Sequence, residues 1–288
     1  MQLFRYHTSA DFLAAVGKSL YPRATINNLL LGISEQLVRD PDLYHDPFFA
    51  AVFDDSEDEL LLAAVMTPPR NMILASGAAF KEAAPALINY LIEQKIDPPG
   101  IISPAPIAEA FVDIWHNRTG QVGEVGMQQR VYELRNVRMP KLPDGRFRVA
   151  HPDEAVLVAD WIRDFEAEAL SEDNGRHLGR ATKFISRGDL FFWEAENEPV
   201  SMAMKARPLK NSVTVSAVYT PPRHRRRGYA TALVAQLSQH LLDMGYEFVN
   251  LFTDLGNPTS NSIYQKIGYH PVVDFRMYKF REKPSPSE

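Results

Sequence analysis

The chain has 288 residues, 45% of them hydrophobic, and this length predicts two domains of ordinary size, each able to bury a core. Lysine and arginine number 31 and aspartate and glutamate 36, and the resulting formal charge of −5 argues against a general nucleic-acid-binding surface. There is no cysteine, which excludes disulfides, a catalytic thiol and thiolate metal ligands.

No segment of the sequence has the pattern of an export signal or a membrane span. The N-terminal residues lack the long apolar stretch of a signal peptide, and no run of about 18 apolar residues occurs. No pair of histidines has metal-ligand spacing, so no metal site is expected. We therefore expect a cytoplasmic protein that binds neither membrane nor nucleic acid.

The first half of the chain predicts helices followed by a strand meander and then alternating elements. Apolar residues at helical spacing predict helices at 11–16, 27–38, 78–95 and 106–115. Alternating or continuous apolar runs predict strands at 48–53, 59–66, 71–75, 100–102 and 127–134.

A similar order of elements returns in the second half. Helices are predicted at 153–170 and 182–186, strands at 190–195, 200–207 and 275–280, and a polar tail at 283–288. The segment 138–145 contains the prolines and glycine typical of a linker. The order of elements therefore predicts an internal duplication of one α+β unit.

The stretch from Ser212 to Tyr269 carries the chemistry. Apolar alternation over 213–219 predicts a strand that ends at Pro221 and Pro222, because proline offers no ladder donor. After a basic run and Gly228, apolar residues recur at helical spacing: Leu233, Val234, Leu237, Leu241 and Leu242. Gly228 is therefore predicted to lie at the N-terminus of a helix.

A helix N-terminus next to arginines is suited to a diphosphate. The first helical amides lack internal acceptors and carry the positive end of the helix dipole. Gly228 lets a ligand approach the backbone, and Arg225, Arg226 and Arg227 add fork-like donors. The alternative is an ordinary solvated basic loop before an amphipathic helix.

Two blocks of this stretch carry a family resemblance. The run from Arg225 to Ala230 fits the (Arg/Gln)-x-x-Gly-x-(Gly/Ala) signature of the GNAT superfamily of acyl-CoA-dependent N-acyltransferases. Asn257 precedes Tyr264 by seven residues, and 264–269 resembles the Asn…Tyr-x-x-x-Gly-(Phe/Tyr) block that closes the same fold. The resemblance covers residues 146–280.

The resemblance implies an α+β fold with two tandem GNAT-like domains, each a mixed, mostly antiparallel sheet flanked by helices. Residues 146–282 would form the catalytic domain. Residues 1–138 would form a degenerate domain, because the corresponding turn, 75–80, has no arginine before Gly77 and no Asn…Tyr block follows it.

The resemblance also implies that acetyl-CoA is the co-substrate, with no metal. The residues that it places on the cofactor belong to the strand end, the turn and the start of the closing helix: Val218, Tyr219, Thr220, Arg225, Arg226, Arg227, Gly228, Tyr229, Ala230, Asn257, Ser260 and Asn261. Asn257 is equally suited to cap the helix that begins near Pro258.

Tyr264 is the candidate general acid, because a phenol with a pKa near 10 stays protonated at neutral pH and can donate to a departing thiolate. The alternative for Tyr264 is a tyrosine of the core. Glu166, Glu168 and Glu194 are candidate bases, and of these Glu194 is included in the predicted catalytic site. A chain of water molecules is the alternative base.

The predicted function is an N-acetyltransferase that joins an acetyl group to an amine of a small molecule or peptide by direct attack in a ternary complex. We expect a monomer or a weak homodimer. A second hypothesis is a non-catalytic CoA sensor or partner-binding protein on the same fold. A third, an RNA-binding module that uses the arginine turn, conflicts with the net charge.

Overall fold

A computed structural model describes residues 1–77, 79–169 and 175–282. Ala78 of the predicted first-half turn, the predicted helix end at Leu170 and the predicted tail at 283–288 lie outside the described residues. Among the described residues, no helix is long and apolar enough to cross a membrane.

The first half of the chain contains four α-helices and six strands among its described residues. The helices are α1 (Ser9–Leu20), α2 (Ala24–Arg39), α3 (Phe80–Glu93) and α4 (Ala105–Thr119). The strands are β1 (Gln2–Tyr6), β2 (Phe48–Phe53), β3 (Leu60–Met66), β4 (Met72–Ser76), β5 (Gly100–Pro104) and β6 (Val122–Leu134).

The second half repeats this order element by element. Its strands are β7 (Arg146–Val149), β8 (Leu190–Ala195), β9 (Glu198–Ala206), β10 (Ser212–Tyr219), β11 (Phe248–Asp254) and β12 (His270–Arg281). Its helices are α5 (Ala155–Ala169), α6 (His177–Ser186), α7 (Tyr229–Asp243) and α8 (Pro258–Ile267). Each half thus follows the order β-α-α-β-β-β-α-β-α-β, and the predicted duplication of an α+β unit is confirmed.

The chain forms two compact units. Unit 1 contains residues 1–131 and the described residues from Val272, with strands in the order β1-β2-β3-β4-β5-β12, followed by residues 122–131 of β6. Unit 2 contains residues 132–271, with the end of β6 followed by β11-β10-β9-β8-β7. The predicted domain ranges, 1–138 and 146–282, follow the order of the chain, whereas the units follow the packing of the strands.

The last strands of the two repeats are exchanged. In unit 1 the neighbour of β5 is β12, which pairs with it antiparallel from Phe275 opposite Pro104 to Lys279 opposite Gly100. In unit 2 the neighbour of β11 is β6. Each sheet is therefore completed by a strand that belongs, by its place in the sequence, to the other repeat.

Unit 2 buries apolar side chains on both faces of its sheet. One cluster joins α7 and α8 to the sheet and includes Leu237, Val249 and Tyr264. A second joins α5 and α6 to the sheet and includes Trp161 and Tyr219. Full burial of a large apolar side chain contributes about 1.5–3 kcal/mol, so these two clusters fix the sheet that carries the candidate site.

Candidate functional site

A gap opens in the sheet of unit 2 where two parallel strands diverge. β10 and β11 pair over Ser212–Thr214 and Phe248–Asn250, and both strands continue beyond the paired residues, to Tyr219 and Asp254. We call the space between these two unpaired ends the wedge. Backbone groups of unpaired strand ends are available to a ligand, since they have no ladder partner across the gap.

The strand end that borders the wedge is bulged and anchored. Its register with β9 shifts between Ser216 and Tyr219, and Ala217 has a φ of +47°. The Ser201 hydroxyl donates to the Tyr219 carbonyl (3.2 Å) and lies 2.8 Å from the Thr220 hydroxyl. Bulges redirect the strand that carries them, so this strand end is both turned and held in place by β9.

The turn between β10 and α7 has a left-handed backbone at two positions. A short 3-10 helix covers Pro222–His224, and φ is +63° at Arg226 and +82° at Gly228, which is the N-cap of α7. Left-handed residues in a tight turn bring successive N–H groups together in an anion-binding concavity. The predicted placement of Gly228 at the N-terminus of a helix is therefore confirmed.

The backbone amides of this turn divide into used and available groups. The N–H of His224 bonds to the Pro221 carbonyl (2.9 Å) and that of Arg225 to the Pro222 carbonyl (3.3 Å). Within the described part of the chain, no acceptor bonds the amides from Arg226 to Gly228. A Cβ built on Gly228 meets no atom within 4 Å, so a ligand could approach this backbone from open space.

All three arginines of the turn are exposed, but they differ in their partners. Arg226 and Arg227 are exposed, and among the described residues neither forms an ion pair. Arg225 differs, because its guanidinium binds Glu168 and the Thr220 carbonyl. The pKa of His224 lies below its ordinary value, because burial lowers it most and the charges of Arg223 and Arg227 lower it further. A neutral histidine and two solvent-facing guanidiniums therefore flank the available amides.

The start of α8 is fixed by its asparagines. Asn257 is the N-cap, and its Oδ1 accepts from the Ser260 amide (3.0 Å). The Asn261 amide group donates to the carbonyls of Asn257 (2.7 Å) and Asp254 (3.0 Å), while its Oδ1 accepts from the Tyr132 hydroxyl (3.0 Å). The capping role considered for Asn257 is present, and Asn261 serves the fold with both ends of its amide.

Tyr264 lies in the core of unit 2, in the cluster that joins α7 and α8 to the sheet. It is 7% exposed and its ring packs against those of Tyr132 and Tyr269, with centroids 6.3 and 5.9 Å apart. Burial raises the pKa of Tyr264 to about 12, and a hydrogen bond with Ser260 opposes that shift. The hydroxyl is therefore protonated at neutral pH, and the ring has the surroundings of a core tyrosine.

Glu194 does not lie at the wedge. It is on β8, two strand spacings from β10, which is roughly 10 Å in the hydrogen-bonding direction. Arg146 Nε and Arg148 Nε bind its two carboxylate oxygens at 2.6 and 2.5 Å. Burial alone would raise the pKa of Glu194, but these hydrogen bonds outweigh it and hold the pKa below the usual range. An engaged carboxylate of lowered pKa is a poor base, so the structure argues against this predicted role.

The other two candidate bases are also engaged. Glu166 is buried on α5, with His177 Nε2 at 3.1 Å and an Arg180 nitrogen at 2.7 Å. Glu168 binds Arg225 through both carboxylate oxygens, at 2.8 and 2.7 Å. The carboxylates of Glu166 and Glu168 are therefore both engaged in ion pairs with basic side chains.

The structure brings part of the predicted site together. Val218 and Tyr229 pack against the cluster that contains Tyr264, whereas Tyr219 packs on the opposite face with Trp161. Burial raises the pKa of Tyr219, as do the charges of Asp164 and Glu168 nearby. The contribution of Ser201 was not predicted, because a serine within a strand carries no sequence signal of such a contact.

No cluster of three or more histidine, aspartate or glutamate side chains that could hold a metal ion occurs among the described residues.

Comparison with known proteins gives one family match in the second half of the chain. Residues 155–269 match the model of the family described as "Acetyltransferase (GNAT) family". A comparison with curated protein sequences gave no match.

Solved structures are similar over nearly the whole chain. A GCN5-related N-acetyltransferase from Sphaerobacter thermophilus has a TM-score of 0.63 at 13% identity, covering 97% of this chain and 95% of that one. A GNAT-family acetyltransferase from Colwellia psychrerythraea has a TM-score of 0.58 at 11% identity, with 98% and 100% covered. A tandem GNAT protein from the clavulanic acid biosynthesis pathway has a TM-score of 0.55 at 10% identity, with 100% and 99% covered. At these identities the likeness concerns the fold.

Proposed function

We propose that this chain, which has two tandem GNAT-like domains and a match to the GNAT acetyltransferase family at residues 155–269, transfers an acetyl group from acetyl-CoA to an amine of a small molecule or peptide. The observation that carries the proposal is the group of available amides at the N-terminus of α7, beside the wedge. An anion site and a gap between strands are what a long, diphosphate-containing thioester requires.

The turn would hold the diphosphate of the donor. The amides from Arg226 to Ala230 lie at the positive end of the α7 dipole, and the exposed guanidiniums of Arg226 and Arg227 supply the compensating charge. The pantetheine arm would lie along the wedge, beside Val218 and the strand end that Ser201 anchors. Alignment of this kind contributes on the order of 7 kcal/mol in favourable cases.

Tyr264 would act as the general acid. Acetyl-CoA supplies an activated acyl group whose leaving group is a thiolate with an ordinary pKa of about 8.5. With a pKa of about 12, the Tyr264 hydroxyl keeps its hydrogen at neutral pH and can hydrogen-bond to the sulfur as negative charge develops there. The raised pKa makes Tyr264 a weaker acid than an ordinary phenol, so the proton itself would pass to the sulfur only once the thiolate has formed. Because Glu166, Glu168 and Glu194 are all engaged elsewhere, we propose that water accepts the proton of the attacking amine.

Isothermal titration with acetyl-CoA tests donor binding, and measurement of CoA thiol release over a panel of amines tests acetyl transfer. The panel contains polyamines, aminoglycosides, amino acids and peptide N-termini. Wild type is expected to bind acetyl-CoA and to release CoA with at least one amine class, and Gly228→Glu is expected to lose binding. Binding that survives Gly228→Glu would show that the turn has been wrongly assigned.

The burial of Tyr264 between two tyrosines favours one second candidate, a non-catalytic CoA sensor. A sensor would bind acetyl-CoA and release no thiol with any amine of the panel. Its affinity for CoA would be the same in Tyr264→Phe, since a core ring does not need its hydroxyl to hold a ligand at the turn.

A further inference from the structure

The Arg225 side chain is held by two partners within the protein, Glu168 and the Thr220 carbonyl. Its Nη2 lies 2.8 and 2.7 Å from the two carboxylate oxygens of Glu168, and its Nε donates to the Thr220 carbonyl (2.8 Å). Its guanidinium carbon lies 5.9 Å from the centre of the Tyr219 ring. One edge of the fork is thus fully used by the protein.

A diphosphate in the turn would not release this pair. The edge of the fork formed by Nε and Nη2 is occupied by Thr220 and Glu168, so phosphate binding through this edge would require the Glu168 contact to break. The free carboxylate would then lie beside an incoming anion and repel it. Keeping Arg225 on Glu168 cancels that charge, so an occupied turn favours the pair.

The pair joins elements that are distant in sequence. Glu168 lies in the last turn of α5, 57 residues before Arg225. Thr220 follows β10 directly, and its hydroxyl lies 2.8 Å from Ser201 on β9. Arg225 therefore connects the end of α5 to the end of β10 at the point where the turn begins.

We propose that Arg225 is a positioning residue that couples the anion-binding turn to the end of α5 through Glu168, while the diphosphate itself is held by the backbone amides with Arg226 and Arg227. This inference rests on the proposed function. A diphosphate that orders the turn also orders the end of α5, and by reciprocity an ordered α5 strengthens binding at the turn.

Titration with CoA and hydrogen exchange of the 160–169 segment, with and without CoA, test the proposal. Arg225→Gln and Glu168→Gln are expected to weaken CoA binding by no more than about fivefold, the range of an exposed ion pair. Arg226→Gln, which removes a direct charge from the anion site, is expected to weaken it by about tenfold or more. In wild type CoA should slow exchange at 160–169, and this protection should be lost in Arg225→Gln and Glu168→Gln.

Asp160→Asn is the matched control, because it removes an ion pair within α5, between Asp160 and Arg163 (2.8 Å), and leaves the turn untouched. It should keep wild-type affinity and the protection at 160–169. Arg225 and Glu168 are 43% and 49% exposed, so both variants are expected to fold, and thermal unfolding verifies this before titration.

Three results would overturn the proposal. A loss of tenfold or more in Arg225→Gln, with Glu168→Gln unaffected, would make Arg225 a phosphate ligand. Tighter binding in Glu168→Gln would mean that Glu168 competes with the diphosphate for Arg225. Protection at 160–169 that persists in both variants would show that the pair transmits nothing. Failure of wild type to bind CoA would instead refute the donor half of the proposed function.

Discussion

Two glycines at opposite ends of α7 offer a controlled test of the anion site. Gly228 at the start of the helix has a φ of +82°, and Gly245 just beyond its end has a φ of +98°. A Cβ built on either glycine meets no atom within 4 Å. The loss of stability expected for alanine at either position therefore comes from the left-handed backbone conformation alone.

The two substitutions should cost similar stability. A left-handed conformation costs an alanine about 1–2 kcal/mol, so each variant should unfold at a temperature lower by several degrees. Their effects on ligand binding should differ, because the methyl group of Gly228→Ala occupies the space beside the available amides. We expect its affinity for CoA to fall about tenfold, equivalent to 1.4 kcal/mol, whereas Gly245→Ala keeps wild-type affinity.

Urea unfolding and titration with CoA measure the two effects separately. Equal losses of stability with a loss of affinity confined to Gly228→Ala would support an open ligand-binding backbone at the N-terminus of α7. Equal affinity in the two variants would refute the reasoning, since the empty space around Gly228 would then have no ligand to admit.

Tyr264→Phe should lower kcat by about 10²-fold and leave the Kd for acetyl-CoA unchanged, and unchanged kcat would return Tyr264 to a purely structural role. Because the pKa of Tyr264 is about 12, wild-type rates should not fall between pH 7 and 9 through loss of its proton. Arg148→Met should cost about 3 kcal/mol at pH 7, since it leaves the largely buried carboxylates of Glu154 and Glu194 without this partner. Hydrogen bonds outweigh burial and lower the pKa values of both Glu154 and Glu194. The stabilisation of the folded state by Arg148 therefore exists above about pH 4.3 and is lost as the pH falls further. Urea unfolding should accordingly show a smaller difference between Arg148→Met and wild type at pH 3 than at pH 7. The fragment 146–271 lacks β6, the neighbour of β11, and nearly all of β12, the strand of similar pattern, so the open edge of β11 should make it aggregate in sedimentation experiments where the full chain does not.

Local patterns predicted most of the individual elements. The strand before Pro221, the glycine at the start of α7 and the helix from Tyr229 follow from periodicity and from the backbone limits of proline and glycine, which act over a few residues. Two short edge strands, β1 and β7, were not predicted, because four or five residues with mixed polarity give too brief an alternation.

Contacts between distant residues were beyond the sequence. The exchange of β6 and β12 is a choice between two strands of similar pattern, and nothing in either strand specifies which sheet it completes. The same applies to Glu194, whose carboxylate is bound by arginines 46 and 48 residues away. A carboxylate in a strand shows from sequence that it can titrate, and it does not show which cation lies opposite.

The first unit shows why a repeated fold need not repeat a binding site. β4 and β5 pair in parallel at Met72–Ile101 and Ile73–Ile102, as β10 and β11 do in the second unit. Beyond that pairing, the Ser103 hydroxyl donates to the Leu74 carbonyl (3.1 Å), so this carbonyl already has a partner on β5.

Gly77, the glycine between β4 and α3, differs from Gly228 in that the backbone of a neighbouring strand packs against it. The Gly77 amide donates to the Leu61 carbonyl (3.1 Å), and a Cβ on Gly77 would lie 1.7 Å from the Leu60 carbonyl oxygen. Gly77 is therefore required because β3 packs against it, whereas Gly228 faces open space. A glycine before a helix can serve close packing or ligand approach, and its free volume distinguishes the two. By this criterion the backbone at Gly228 is open to a ligand, whereas the backbone at Gly77 is covered by β3.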